Sequence, residues 1–309
     1  MAKELWTELY RPKTIDEYVF RDFDQRRKVE SWVKEKSIPH ILLSGTAGIG
    51  KTTLAKVLIN EIGIETYDLL EINASRTNGV EEVRDKITNF VQMIPFGPFK
   101  VVLLDEADFL SPNAQAALRG VMEEYHSTAR FILTCNYPNK IIPAIHSRCQ
   151  GFHIEKIDQT EFTARAATIL VNENVEFDLD TLDSFVRSTY PDLRKCINAC
   201  QQNTNNGTLS LPISDDNTSS DYKFEMIDLF KKKKIGDARK VVCSKAKPEE
   251  IEDIYKFLYN NLNLFGDTED VMDSAILIIK QGLVDHTICG DPEINLAATM
   301  VKLARLVNN

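Results

Sequence analysis

Ile41-Leu42-Leu43-Ser44-Gly45-Thr46-Ala47-Gly48-Ile49-Gly50-Lys51-Thr52-Thr53-Leu54-Ala55-Lys56-Val57-Leu58 is the stretch on which the reading of this chain turns. Its first residues form a short apolar run closed by a turn signal, the pattern of a buried strand. From Thr52 onward the apolar residues fall on one face of a helix. Between them lies G-x-x-x-x-G-K-[ST], the pattern of a phosphate-binding loop in its required strand–loop–helix setting. The glycines let the backbone curl so that successive N–H groups face phosphate oxygens. The helix N-terminus adds partial positive charge behind them. Lys51 is expected to reach the β- and γ-phosphates and the Thr52 hydroxyl to ligate Mg²⁺. The candidate nucleotide-binding residues here are Gly45, Thr46, Ala47, Gly48, Ile49, Gly50, Lys51, Thr52 and Thr53.

A second motif answers the first. Val101-Val102-Leu103-Leu104 is an apolar run that ends in Asp105-Glu106. In a parallel sheet this puts both carboxylates at the C-terminal strand edge, where ligands of open α/β sheets bind. Asp105 is expected to hold Mg²⁺ through its water shell, and Glu106 to act as general base on the attacking water. Together the motifs predict nucleotide hydrolysis.

Further blocks follow in a characteristic order: Leu9-Tyr10-Arg11-Pro12, Asn73-Ala74-Ser75, Asp105-Glu106-Ala107-Asp108, Thr134-Cys135-Asn136-Tyr137, Ser147-Arg148-Cys149 and Pro191-Asp192-Leu193-Arg194. In this order they resemble the small ATPase subunit of replication factor C-type sliding-clamp loaders, of the AAA+ class. The resemblance runs from about residue 5 to 200 and more loosely beyond. In character it is closest to phage clamp-loader subunits. It implies a P-loop domain with a largely parallel sheet, a helical lid and a helical collar, with ATP and Mg²⁺ as ligands. It also implies a subunit that opens a sliding clamp and loads it on primer–template DNA, beside identical copies and at least one different companion subunit. By resemblance Asn136 is the γ-phosphate sensor and Arg148 the finger that acts on a neighbour's ATP. Arg194 is the sensor reaching the γ-phosphate from the lid, and Gln115 couples DNA binding to the ATP site. Tyr10, Arg11 and Pro12 lie near the adenine. An arginine finger is worth about 10³ to 10⁵ in rate in related enzymes. The chain departs from the family pattern in places: Thr46-Ala47 replaces Pro-Pro, Ile49 replaces Thr, and Pro191 replaces a common Gly.

The segment from Ser75 to Lys86 resembles the family's DNA-facing helix. Ser75, Arg76, Asn78, Arg84, Lys86 and Lys140 are its candidate DNA contacts, with Asn78 standing where the family often has Arg. Contacts of this kind read the phosphate backbone rather than sequence.

The 309 residues suffice for two or three domains, and the charged and apolar fractions of 27% and 43% are those of an ordinary soluble protein. No run approaches the ~20 apolar residues of a membrane span. The opening Met1-Ala2-Lys3-Glu4-Leu5-Trp6 lacks the apolar core of a signal peptide, so no membrane partner is expected. The expected location is the cytoplasm of a prokaryotic or phage-infected cell, or the nucleus if the source is eukaryotic. The six cysteines form no C-x-x-C pair, and Cys196 and Cys200 share one face of a predicted helix. The net charge of −9 is uneven. Residues 1–150 carry 19 Lys and Arg against 20 Asp and Glu, and the remainder 18 against 26. The first half therefore leaves room for a local basic surface.

Strands are predicted at 40–44, 69–73, 101–105, 131–135 and 151–155, alternating with helices in a doubly wound pattern. Residues 1–155 are assigned to the ATPase domain and 156–205 to the lid, with helices at Glu161–Asn172 and Leu193–Gln202. A polar linker spans 206–222. The collar covers 223–309, with helices at 223–234, 236–245, 248–264, 267–281 and 291–307. The Lys231–Lys234 run is read as lysines at a helix C-terminus, favoured by its dipole. Alternative readings are an ATP-binding scaffold subunit and another AAA+ DNA motor. A GTPase is set aside, because Asn139-Lys140-Ile141-Ile142 lacks the Asp that binds guanine.

Overall fold

A computed structural model describes residues 4–76, 80–211, 221–232, 234–246, 250–266 and 268–308. The chain divides into two compact units. One is Met1–Glu161 with Pro191–Arg194, and the other is Phe162–Tyr190 with Lys195–Asn309.

The first unit is built on five strands: β1 (Ile41–Ser44), β2 (Leu69–Asn73), β3 (Lys100–Asp105), β4 (Ala129–Cys135) and β5 (Gln150–His153). All pair in parallel, in the order β2-β3-β4-β1-β5. The strand carrying the phosphate loop is therefore an interior one, flanked by β4 and β5. Leu42 faces Leu133 on one side and Gly151 on the other. Successive side chains alternate between two cores. Leu42, Leu104 and Leu133 pack with α4 (Val80–Val91) and α5 (Pro112–Glu124). Ile41, Leu43, Leu103 and Ile132 pack with α2 (Phe23–Lys34) and α3 (Lys51–Ile62). Burial on both faces is why these strands read as unbroken apolar runs.

Local chemistry sets the helix ends. Asp22 caps α2 by accepting from the Gln25 amide at 2.8 Å. Ser111 caps α5 through the Ala114 amide at 3.2 Å, with Pro112 at its first turn. One polar pair is sealed inside this unit. Lys100 and Asp68 side chains, each 2% exposed, meet at 3.1 Å. Asp68 also accepts from the amides of Gly97 (2.7 Å) and Phe96 (3.2 Å), so the pair anchors the loop 93–98. That loop displays Met93, Ile94 and Phe96, and the Phe96 ring lies 5.8 Å from exposed Tyr67.

The second unit is almost wholly helical: α7 (Gln159–Asn172) and α9 (Leu193–Gln202), whose first residues belong to the first unit, with α8 (Leu179–Thr189), α10 (Asp221–Lys231), α11 (Ile235–Lys245), α12 (Ile251–Asn260), α13 (Glu269–His286) and α14 (Pro292–Asn308). Cys196 and Cys200 are buried on one face of α9, as their spacing predicts. A short hairpin, β6 (Thr204–Asn205) with β7 (Thr208–Leu209), stands where a polar linker is read, and residues 212–220 lie outside the described ones. The helix read over 248–264 ends at Asn260. The Asn261 side chain bonds back to the Phe257 carbonyl at 2.9 Å, and a separate turn follows at Leu262–Leu264. The helix read to 281 instead runs through Gly282 to His286. Gly282 is there for packing: a Cβ would come within 2.8 Å of the Tyr255 ring. In the lysine run, α10 ends at Lys231 and Lys232 pairs with Asp228 at 2.7 Å. Among the described residues, no helix is long and apolar enough to cross a membrane.

Candidate active site

β1 delivers the chain to the phosphate loop, and α3 takes it up at Lys51. Gly50 precedes that helix with φ +97°, a conformation L side chains rarely adopt. The Tyr18 ring lies 3.2 Å from where a Cβ would sit, so space as well as φ calls for glycine. Lys51 is buried, and its ammonium donates to the carbonyls of Gly45 (2.9 Å) and Thr46 (2.7 Å) and to Asn136 Oδ1 (2.8 Å). Burial lowers its pKa, and Arg194 adds to this while Asp105 and Asp108 oppose it. Thr52, next on the helix, donates its hydroxyl to Asp105 Oδ1 at 2.7 Å.

Asp105 ends β3, beside the end of β4. Glu106 follows in the left-handed region at φ 57° and ψ 44°. This turn departs from the strand direction and opens the short helical turn Ala107–Phe109. Asp108 there accepts at Oδ2 from the amides of Asn136 (3.2 Å) and Tyr137 (3.1 Å), fixing the turn that presents Asn136. Its other oxygen is buried without a partner.

One cavity gathers these groups. Ala47, Gly48, Lys51, Thr52, Asp105, Glu106, Thr134, Cys135, Asn136 and Arg194 line it. Arg194 reaches it because residues 191–194 return to the first unit. A cation from Lys51 and another from Arg194 thus face two carboxylates across a polar cleft. Burial pushes the Cys135 thiol up to about 11, so it adds no charge at neutral pH.

Several other candidate residues are not among those that line the cleft. Tyr10, Arg11 and Pro12 follow the short helix α1 (Trp6–Leu9) and are not among the lining residues, and Arg11 pairs with Glu8 at 2.6 Å. Arg148 follows α6 (Pro143–His146). Its guanidinium donates to the Ala144 carbonyl at 2.7 Å and pairs with the Glu123 carboxylate on α5. Gln115, on the same helix and 1% exposed, donates to the carbonyls of Leu110 and Lys140 and accepts from the Ile142 amide at 2.8 Å. It ties α5 to the segment leading to Arg148.

Among the candidate DNA contacts, Ser75 donates its amide (2.9 Å) and hydroxyl to Asn73 Oδ1, and Arg76 is exposed beside it. Arg84 and Lys86 are exposed on α4, with Arg84 bonded to Asp85 at 3.1 Å. Lys140 lies over the Tyr137 ring at 4.6 Å. Asn78 lies outside the described residues.

Four residues were not anticipated: Thr134, Asp108 in its amide-binding role, Tyr18 against Gly50, and Glu123 as partner of Arg148. Thr134 had a visible signal, since strand alternation puts it on the same side as Asn136. The Tyr18 and Glu123 contacts join distant segments and leave no local pattern.

Comparison with known proteins agrees with this geometry. Residues 41–156 match the family model of the ATPase family associated with various cellular activities (AAA). The chain is 36% identical over 284 residues to the replication factor C small subunit of Methanocella arvoryzae, covering 91% of this chain and 79% of that protein. It is 34% identical over 322 residues to the replication factor C small subunit of Sulfurisphaera tokodaii, covering 97% and 95%. Among solved structures, a Thermotoga maritima RuvB variant superposes with TM-score 0.55 at 15% identity over 80% of each chain. This likeness is one of fold.

Proposed function

The chain belongs to the replication factor C small-subunit family, and from that premise we propose that it is an ATPase subunit of a sliding-clamp loader, stimulated by DNA and clamp. It uses ATP binding to open a processivity clamp and load it on primer–template DNA, and hydrolysis to release it. The observation that carries this reading is the convergence of Lys51, Thr52, Asp105, Glu106, Asn136 and Arg194 on one cleft.

The loop from Gly45 to Thr53 cradles the triphosphate, with Lys51 exchanging its carbonyl partners for β- and γ-phosphate oxygens. Thr52 and Asp105 form an all-oxygen donor pair, the hard ligand chemistry that suits Mg²⁺. A hydroxyl both donates and accepts, so Thr52 can keep its bond to Asp105 while offering a lone pair to the metal. Bound Mg²⁺ would neutralise charge on the phosphates. Glu106 takes the proton of the attacking water, while Asn136 and Arg194 orient the γ-phosphate. Tyr10, Arg11 and Pro12 serve the adenine end.

Arg148 acts in trans, on ATP held by a neighbouring subunit. Gln115 and Glu123, both on α5, tie its segment to the helix that follows the catalytic carboxylates. DNA meets Ser75, Arg76, Asn78, Arg84, Lys86 and Lys140 through its backbone. The clamp meets the exposed Tyr67, Ile94 and Phe96 patch. Residues 1–155 act as the motor domain, 156–205 as the lid, 206–222 as the linker and 223–309 as the collar joining identical copies and a companion subunit.

The test is turnover by the assembled complex, with and without primer–template DNA. Glu106→Gln is expected to keep ATP binding and abolish hydrolysis. Hydrolysis near the wild-type rate would overturn the assignment of the base.

A further inference from the structure

We infer that Thr134 is a positioning residue of the ATPase site, whose single hydroxyl aligns Asp105 and pins the backbone of Glu106, so that it sets turnover rather than nucleotide affinity. The inference rests on the proposed roles of Asp105 toward the metal and Glu106 toward the attacking water.

The paired register of β3 with β4 ends at Leu104 and Leu133. Beyond it Asp105 is paired only on its other side, with Asn73 of β2. The chain then turns at Glu106 into the left-handed region, which is disfavoured for a residue bearing a Cβ. A turn of this kind needs an outside hold on its amide. Thr134 supplies it: its hydroxyl accepts from the Glu106 N–H at 2.9 Å. A side chain here takes over from the backbone ladder one step past its end.

The same hydroxyl works a second time. It donates its proton to Asp105 Oδ1 at 2.6 Å, beside the Thr52 hydroxyl at 2.7 Å on that oxygen. Two hydroxyl donors from different elements fix the rotation of the carboxylate. Thr134 is 1% exposed, so water does not substitute for either bond. One acceptor and one donor function of one oxygen therefore join the metal-side acid to the water-side acid. The Lys51 ammonium, which would carry much of the phosphate binding, bonds elsewhere. Rate and affinity are separable for that reason.

The chemistry predicts which replacements matter. Serine keeps the hydroxyl, whereas valine keeps the branched shape and loses both bonds. Removing an outer partner of a metal-side ligand typically costs about 10–100-fold in activity. In the complex purified through a tag on this chain, Thr134→Val is expected to lower kcat by about that factor. The KM for ATP should stay within about twofold, the Mg²⁺ requirement should shift upward, and Thr134→Ser should restore most of the rate. Thr134→Ala, which loses the hydroxyl without adding bulk, replaces the valine variant should that one fail to fold.

A valine or alanine variant with kcat within about threefold of wild type overturns the inference. So does a serine variant as impaired as valine, which would make methyl packing the cause. So does a loss expressed wholly in ATP binding. Glu106→Gln run alongside separates the two layers. If that variant still turns over, the reading of Glu106 fails; if it is dead while Thr134→Val is normal, only the role of Thr134 fails.

Discussion

Replacing Lys100 by methionine is the most informative stability test this structure offers. The change keeps an unbranched stem and removes the ammonium, leaving Asp68 ionised in a site where both side chains are 2% exposed. Lys100 also donates to the Tyr67 carbonyl at 3.3 Å and lies 4.4 Å from the centre of the Phe90 ring, so further contacts go with it. Breaking a buried ion pair from one side typically costs 3–5 kcal/mol. Asp68 keeps its amide bonds from Gly97 and Phe96, which places the expected loss near the lower end, about 3 kcal/mol. With a urea dependence of about 2 kcal/mol per molar, the unfolding midpoint falls by about 1.5 M. The assay is tryptophan emission in urea. The chain has two tryptophans, and Trp6 and Trp32 both lie in the first unit, so their signal follows that unit alone. Pairing the change with Asp68→Asn removes the stranded charge, and the double variant should lose clearly less than the two single losses added together. A midpoint shift below about 0.5 M for Lys100→Met, or strict additivity in the pair, refutes the reasoning.

Three further outcomes are expected. The Asp68 carboxyl is pushed up by burial but pulled further down by the Gly97 amide, Lys100 and the Phe96 amide, so its folded pKa lies below its ordinary value. Its contribution to stability is then complete above about pH 4 and drains away as pH falls through the lowered value. Acid unfolding followed by tryptophan emission should be less steep in Asp68→Asn, and an unchanged pH profile would contradict this. Arg148→Ala should leave ATP binding to the isolated chain intact and cut hydrolysis by the assembly by about 10³-fold or more, on the order of an arginine-finger loss; full activity removes the trans role. Arg84→Ala should weaken stimulation by primer–template DNA and flatten its salt dependence, with intact stimulation counting against the contact.

Much of this is readable in the chain because the signals are local. The loop from Gly45 to Thr52 carries its strand and helix on either side, and the doubly buried strands announce themselves as apolar runs. Asp105 and Glu106 are expected from their own motif, Asn136 and Arg194 from the family resemblance, and all four line one cavity with Lys51 and Thr52. What escaped was relational. The pairing of Arg148 with Glu123 joins two segments through an ion pair at the surface, and no spacing encodes it. The helix predicted to end at 281 runs on through Gly282, where the neighbours Tyr255 and Thr299 need the space. The hydroxyl of Thr134 looks like one more strand residue until β3 is seen to end beside it.

The place of β1 between β4 and β5 has a consequence for how the protein is made. Residues 41–44 pair with 132–135 on one side and 150–153 on the other. A ribosome therefore releases the phosphate loop long before it releases either strand that holds it. Parallel pairings so far apart in sequence are slow to form, and the loop stays unorganised while they wait. The wait lengthens because the unit closes only with Pro191–Arg194, after the chain has left it at Glu161. Nucleotide bound by the folded loop should therefore stabilise the completed chain more than a nascent one that still lacks these strands. ATP thus joins the folding of this subunit as a late event, and low nucleotide levels should act first on newly synthesised copies.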